Sequence, residues 1–287
     1  MKAEGVRKVG VVGCGVMGAG IVEVCARAGL DVRYVEATPD LVERGRSRID
    51  GSILRAVERG KLDERQGVEE LTRIAGTTTI DDLADRDLVI EAATEHHETK
   101  REVFRRLDEV TRPEVVLASN TSSIPIVELA AVTGRPAQVV GMHFFNPVPV
   151  MGLIEVVRAI TTSDETVEFS RGFGAVLGKT TVLSKDRAGF IVNMLLIPYL
   201  NGAVRMLDEG FATREDIDRA VSLGLAHPMG PLQLLDLIGL DTALFVANVL
   251  FEEFKEPLYA PPPLLRRMVT AGRLGRKSGA GFYDYTS

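Results

Sequence analysis

The stretch "RKVGVVGCGVMGAGIVEVCARAGLDVRYVEA", residues 7–37, sets a β-branched run, a glycine turn, a helical segment and a second β-branched run in direct succession. Gly13, Gly15 and Gly18 form G-x-G-x-x-G between the first strand and the helix. In a βαβ unit each glycine has a task. The first permits the tight turn, the second lets backbone N–H groups approach a pyrophosphate, and the third lets helix and strand pack closely. The helix start adds partial positive charge. Glu36 closes the second strand, eighteen residues beyond Gly18. An acid there accepts hydrogen bonds from an adenosine ribose and repels a 2′-phosphate, which favours NAD over NADP. Cys14 and Met17 read from the pattern alone as compact fillers of the loop.

Outward from this unit, roughly the first 150 residues keep alternating short β-branched runs with longer amphipathic stretches, the pattern of a largely parallel sheet. Further extended runs are expected at "DLVIEAA", "VVLASN" and "QVVGMHF", and a long helix from about Pro39 to Arg59. Two more extended runs, "GLIEVVRAI" and "KTTVLSKD", follow before strand signals fade. From "AGFIVNMLLIPYLNGAVRMLDEG" onward the chain reads as helical, with Thr213 and Asp216 marking one helix start. The expected class is therefore α/β: a Rossmann-type, mostly parallel sheet domain over residues 1–186, then an all-α domain over 187–287.

Composition narrows the function classes. The 287 residues are 45% hydrophobic and 26% charged, with formal net charge −6. An acidic chain has no global field to hold nucleic acid or an anionic membrane, so neither is an expected partner. Two cysteines, Cys14 and Cys25, are too few for a disulfide framework and sit at no metal-ligand spacing. No metal is expected, and a cytoplasmic location fits. The opening residues read as a first strand rather than a secretory signal.

"GMHFFNPVPVMGLIEVV", residues 141–157, sets His143 and Glu155 among apolar residues. Pro147 and Pro149 interrupt the two extended runs, so a reversal there brings the carboxylate back beside the imidazole. Spacing alone leaves two readings open: a buried histidine hydrogen-bonded for packing, or a general base with the carboxylate that orients it. A second pattern is equally two-sided. If residues 40–60 are one helix, Arg44, Arg48, Arg55 and Arg59 fall within about 60° of one another, with Ser52 at the border. That stripe is either a solvated face beside Glu43 and Glu58 or a cradle for phosphate, to which the guanidinium fork is suited. His96 and His97, in a polar stretch, read as solvent-facing, and Asp236 and Asp241 read equally as helix caps or as groups that contact something chemical.

The segments "GVVGCGVMGAGI", "VLASNTSS", "MHFFNPVPVMGLIEVV", "GFIVNMLLIPYL", "HPMGPLQLLDLIGLDT" and "GRKSGAGFYDY" together resemble the short-chain L-3-hydroxyacyl-CoA dehydrogenases, and among them the bacterial enzymes of 3-hydroxybutyryl-CoA. The likeness covers nearly the whole chain in order. It implies an NAD-dependent oxidoreductase in which His143 is the catalytic base, Glu155 its partner, Ser122 a hydrogen-bond donor to the reacting oxygen, and Asn193 a residue brought to the same site from the helical domain. It assigns Glu36, Glu95, Lys100, Asn120, Asn146 and the loop residues Gly13, Gly15, Val16, Met17 and Gly18 to the cofactor. Ser52, Arg55, Arg59, Ser122 and Asn193 are assigned to an acyl-CoA substrate. A homodimer through the carboxy-terminal helical domain is implied as well. The chain departs from the family at Gly152 and Met194, where many relatives carry positive charge, and at Ala188, where many have proline. Two other classes compete: a dehydrogenase of a carrier-protein-bound or free 3-hydroxy acid, and a dinucleotide-binding protein without turnover.

Overall fold

In the computed structural model, which describes residues 2–285, the glycine turn joins β1 (Lys8–Val12) to α1 (Val16–Arg27), and β2 (Asp31–Val35) follows. α1 buries nearly every residue from Gly18 to Ala26, so its apolar sequence belongs to a helix covered on most sides. It ends where Gly29 takes φ +83°. α2 (Pro39–Glu58) starts with Thr38 accepting from the Leu41 N–H at 3.3 Å and with proline at the first helical position. Gly45, Ile49 and Ile53 form its buried face. Full burial of each isoleucine contributes about 1.5–3 kcal/mol.

After α3 (Glu64–Thr72) come β3 (Ile74–Thr77), β4 (Leu88–Glu91), α4 (His97–Val110), β5 (Val116–Ser119), α5 (Ile126–Ala130) and β6 (Val139–Phe144). β7 (Leu153–Arg158), α6 (Asp164–Val176) and β8 (Thr180–Lys185) complete the sheet. Its order is β3-β2-β1-β4-β5-β6-β7-β8. All neighbours are parallel except β6 and β7, which pair antiparallel. The first six strands take the doubly wound dinucleotide order, whose direction of winding reverses between β1 and β4. Ligands of such sheets bind at the carboxyl ends of the strands around that reversal, where the glycine turn lies. β3 and α3 had no counterpart in the sequence reading.

The chain divides into two compact units, one running through Arg187 and the other from Ala188, one residue beyond the boundary read from sequence. The second unit contains α7 (Val192–Asp208), α8 (Arg214–Gly224), α9 (Pro231–Ile238), α10 (Leu240–Phe254) and α11 (Pro263–Thr270). Thr213 caps α8 by accepting the Asp216 N–H at 3.1 Å. Leu200, Val204, Leu232, Leu235, Leu240 and Leu265 are buried together in its core. Asp236 does not cap a helix. Buried to 1% exposure, it accepts the N–H groups of Phe282 and Tyr283 and the Tyr285 hydroxyl, and so ties the carboxy-terminal segment down. Asp241 pairs with Lys277. Among the described residues no single helix is long and apolar enough to cross a membrane.

Candidate active site

The three glycines of the turn differ in what surrounds them. Gly13 has φ +89°, and a Cβ there would lie 2.7 Å from the backbone of Ala92 and Ala93. A Cβ on Gly18 would lie 1.9 Å from the Gly13 carbonyl oxygen, so only glycine lets α1 start this close to β1. Around Gly15 nothing stands within 4 Å. The first-turn N–H groups of α1, at Val16, Met17 and Gly18, have no intrahelical acceptor and lend this open position positive character. A pyrophosphate suits it. Glu36 stands at the end of β2 and accepts the Cys14 N–H at 2.5 Å, which puts its carboxylate at the loop. Burial, helped by Glu36, pushes the Cys14 thiol up to about 12, so it is an inert filler.

At the ends of β4 and β5 lies a buried polar network. Lys100, 1% exposed, donates to Glu91 Oε1 at 2.7 Å and pairs with Glu95 Oε2 at 3.2 Å. The Ser119 hydroxyl donates to Glu91 Oε2 at 2.6 Å, and the Ala93 N–H to Glu91 Oε1 at 2.7 Å. Glu95 Oε1 accepts from Thr121 Oγ1 (2.6 Å), Ser122 N (2.9 Å), Ser123 Oγ (2.9 Å) and Ser122 Oγ (3.4 Å). Burial raises the Glu95 pKa most strongly, but Lys100 and the donors from Thr121, Ser123 and Ser122 outweigh it and hold the carboxyl below its ordinary range. Glu95 thereby shapes the loop that carries Ser122. Glu91 is a site residue the sequence reading missed. Its signal is a lone carboxylate in a strand buried at every position, nine residues before the lysine it binds.

His143 and Glu155 are direct partners in the antiparallel register of β6 and β7. His143 Nδ1 lies 2.7 Å from Glu155 Oε2, with the residues 7% and 0% exposed. A carboxylate only accepts, so it assigns the hydrogen to Nδ1 and makes Nε2 the basic nitrogen of the neutral ring. The Phe145 ring packs edge-on against the imidazole, centroids 4.6 Å apart. Asn120 Oδ1 accepts the Phe144 N–H at 2.9 Å, joining the end of β5 to the strand that carries His143. The chain reverses through Asn146–Gly152, where Val150 N and Met151 N both donate to the Pro147 carbonyl.

A cavity of about 380 Å³ is lined by Val16 at the start of α1, by Arg48, Ser52 and Arg55 of α2, and by Asn146 to Pro149. Of the arginine stripe, Arg48 and Arg55 line this cavity. Arg44 is exposed and pairs with Asp40, Arg48 reaches the Cys14 carbonyl at 3.4 Å, and Arg55 and Ser52 face the cavity. Arg59, the residue that closes α2, does not line it. Asn193 lies in the first turn of α7, in the second unit. His96 and His97 are exposed. His96 caps α4 by accepting the Thr99 N–H, and His97 meets Glu128.

Residues 8–187 match the family model of the 3-hydroxyacyl-CoA dehydrogenase NAD binding domain, and residues 189–285 match that of the 3-hydroxyacyl-CoA dehydrogenase C-terminal domain. A 3-hydroxybutyryl-CoA dehydrogenase of Mycobacterium tuberculosis is 54% identical over 285 residues, covering 99% of this chain and 100% of that protein. One from Bradyrhizobium diazoefficiens is 48% identical, covering 98% and 96%. The crystal structure of (S)-3-hydroxybutyryl-CoA dehydrogenase from Ralstonia eutropha superposes with TM-score 0.93 at 46% identity, covering 98% of this chain and 100% of that one.

Proposed function

The chain belongs to the 3-hydroxyacyl-CoA dehydrogenase family, and from that premise we propose that it interconverts a short-chain L-3-hydroxyacyl-CoA, 3-hydroxybutyryl-CoA, and the 3-oxoacyl-CoA. The observation that carries this reading is the buried His143–Glu155 pair in the same sheet domain as a glycine turn with room for a dinucleotide. NAD, held by the Gly13–Gly18 turn and Glu36, supplies the hydride-accepting chemistry when bound.

The remaining work falls to this chain's side chains. His143 Nε2 takes the proton of the substrate's 3-hydroxyl in the oxidative direction and returns it in the reductive one. Glu155 fixes the tautomer beforehand and stabilises the imidazolium afterwards. Ser122 is proposed to hydrogen-bond the reacting oxygen, and Asn193 is proposed as a substrate-binding residue. Asn120, Asn146, Glu95 and Lys100 are proposed to form the cofactor side of the site. Arg55, with Arg59 at the end of the same helix, gives an acidic protein local positive charge for coenzyme A phosphates, and Ser52 adds a hydroxyl donor. The reading includes a cytoplasmic homodimer formed through the carboxy-terminal helices, for which Phe211, Leu223 and Leu225 offer exposed apolar surface.

The test is NADH formation with L-3-hydroxybutyryl-CoA, the corresponding carrier-protein thioester and the free acid, side by side. The expected result is a kcat/KM highest for the coenzyme A thioester. A preference for either alternative overturns the substrate assignment, and no NADH from any of them overturns the activity.

A further inference from the structure

The reversal between β6 and β7 has a cavity on each side. Asn146 to Pro149 wall the one that contains Ser52 and Arg55. Pro149 to Gly152 wall a second, of about 340 Å³, with Arg27 and Lys179. Pro149 thus lines both. Val148 anchors the strap in the core at 2% exposure, whereas Val150 and Met151 are 67% and 40% exposed, so little packing holds its outer turn. Its internal backbone bonds are the two that converge on the Pro147 carbonyl.

From outside, the Thr180 N–H donates to the Gly152 carbonyl at 2.8 Å, and the outer turn is held by Lys179, which follows Gly178 (φ +67°) and immediately precedes β8. Its Nζ donates to the carbonyls of Val148 and Met151, 2.7 Å each, at the two ends of the strap's exposed turn. Among the described residues no carboxylate lies within ion-pair distance of this ammonium, so the two carbonyls take the place of a counter-ion. Burial, and then the nearby Arg27 charge, depress its pKa below the ordinary lysine value. A charge kept in a half-buried place for two backbone oxygens organises the backbone.

We propose that Lys179 is a positioning residue: by clamping Val148 and Met151 it holds the Val148–Pro149 part of the substrate cavity's wall and so sets affinity for the acyl-CoA. This rests on the assignment of that cavity under Proposed function. The catalytic pair is held separately, by strand register, so the clamp acts on substrate binding and leaves the proton step alone.

The test compares wild type with Lys179→Met, which keeps the stem and removes the donor, and Lys179→Arg, which restores one. Backbone hydrogen exchange of residues 146–152 in the free protein is expected to quicken roughly tenfold in the Met variant and to slow again in the Arg variant. KM for 3-hydroxybutyryl-CoA is expected to rise roughly fivefold or more, with kcat and the KM for NAD within about twofold of wild type. Should the Met variant not fold, Lys179→Gln takes its place in both measurements. Unchanged exchange overturns the clamp. Faster exchange with an unmoved acyl-CoA KM, or equal rises in both KM values, overturns its role in affinity. Wild-type protein that does not turn over acyl-CoA overturns the functional reading instead, and the exchange comparison then decides the clamp by itself.

Discussion

Replacing Glu155 by glutamine keeps the shape of the pair and removes its charge. When His143 takes up a proton, an imidazolium forms beside a carboxylate whose oxygen is 2.7 Å from Nδ1. With charge centres about 4 Å apart and an effective dielectric near 20, that attraction is about 4 kcal/mol. The amide retains a neutral hydrogen bond worth about 1–1.5 kcal/mol, which leaves a loss of about 2.5–3 kcal/mol in the step that charges the ring. At about 1.4 kcal/mol per tenfold, kcat falls roughly a hundredfold. An amide can also donate to Nδ1 and select the wrong tautomer, which adds to the loss. Before proton uptake Glu155→Gln leaves no buried charge unpaired, so the fold keeps its stability. The assay is steady-state NADH formation at saturating NAD and 3-hydroxybutyryl-CoA, with thermal unfolding as the control. A folded variant with kcat within about threefold of wild type would refute the reasoning.

Three further outcomes are expected. Gly15→Ala, with open space around its Cβ, should fold normally and raise the KM for NAD, whereas Gly18→Ala, whose Cβ meets the Gly13 carbonyl, should lower stability by about 2–4 kcal/mol in denaturant titrations. Arg55→Glu should raise KM for acyl-CoA more than for a truncated pantetheine thioester, and more than Arg59→Glu does, because Arg55 lines the cavity and Arg59 does not; equal effects in the steady-state assay would remove the phosphate role. Because the folded Glu95 pKa lies below its unfolded value, its stabilising contribution is complete above about pH 4.3 and is lost as pH falls through the folded value. Urea unfolding at stepped pH should therefore show a flatter acid limb in Glu95→Gln.

The sheet was legible wherever a strand is a mostly apolar run buried on both faces, as in β1, β4, β5 and β6. β3 left no such mark. It is an edge strand, "IAGT", buried only at Ile74, with Gly76 set against the Tyr34 ring. α4 hid in a polar stretch because only Lys100, Phe104 and Leu107 are buried, and one of those is charged. The reversal joining His143 to Glu155 was readable from two prolines between two extended runs, since a register pair needs only equal numbers of residues on either side of a turn. The Glu91–Lys100–Glu95 network was not readable from spacing, because it joins the ends of two strands to the face of a helix. Likewise the arginine stripe gave the face of α2 but not which of its members would line a cavity, as that depends on where the strap from β6 crosses it.

The proposed reaction requires His143 to move the proton, and the most direct measurement of this is kcat of His143→Gln with NAD binding measured separately by titration. With NAD affinity retained, kcat should fall by about two orders of magnitude or more. Turnover near the wild-type rate in a folded, NAD-binding variant would contradict it.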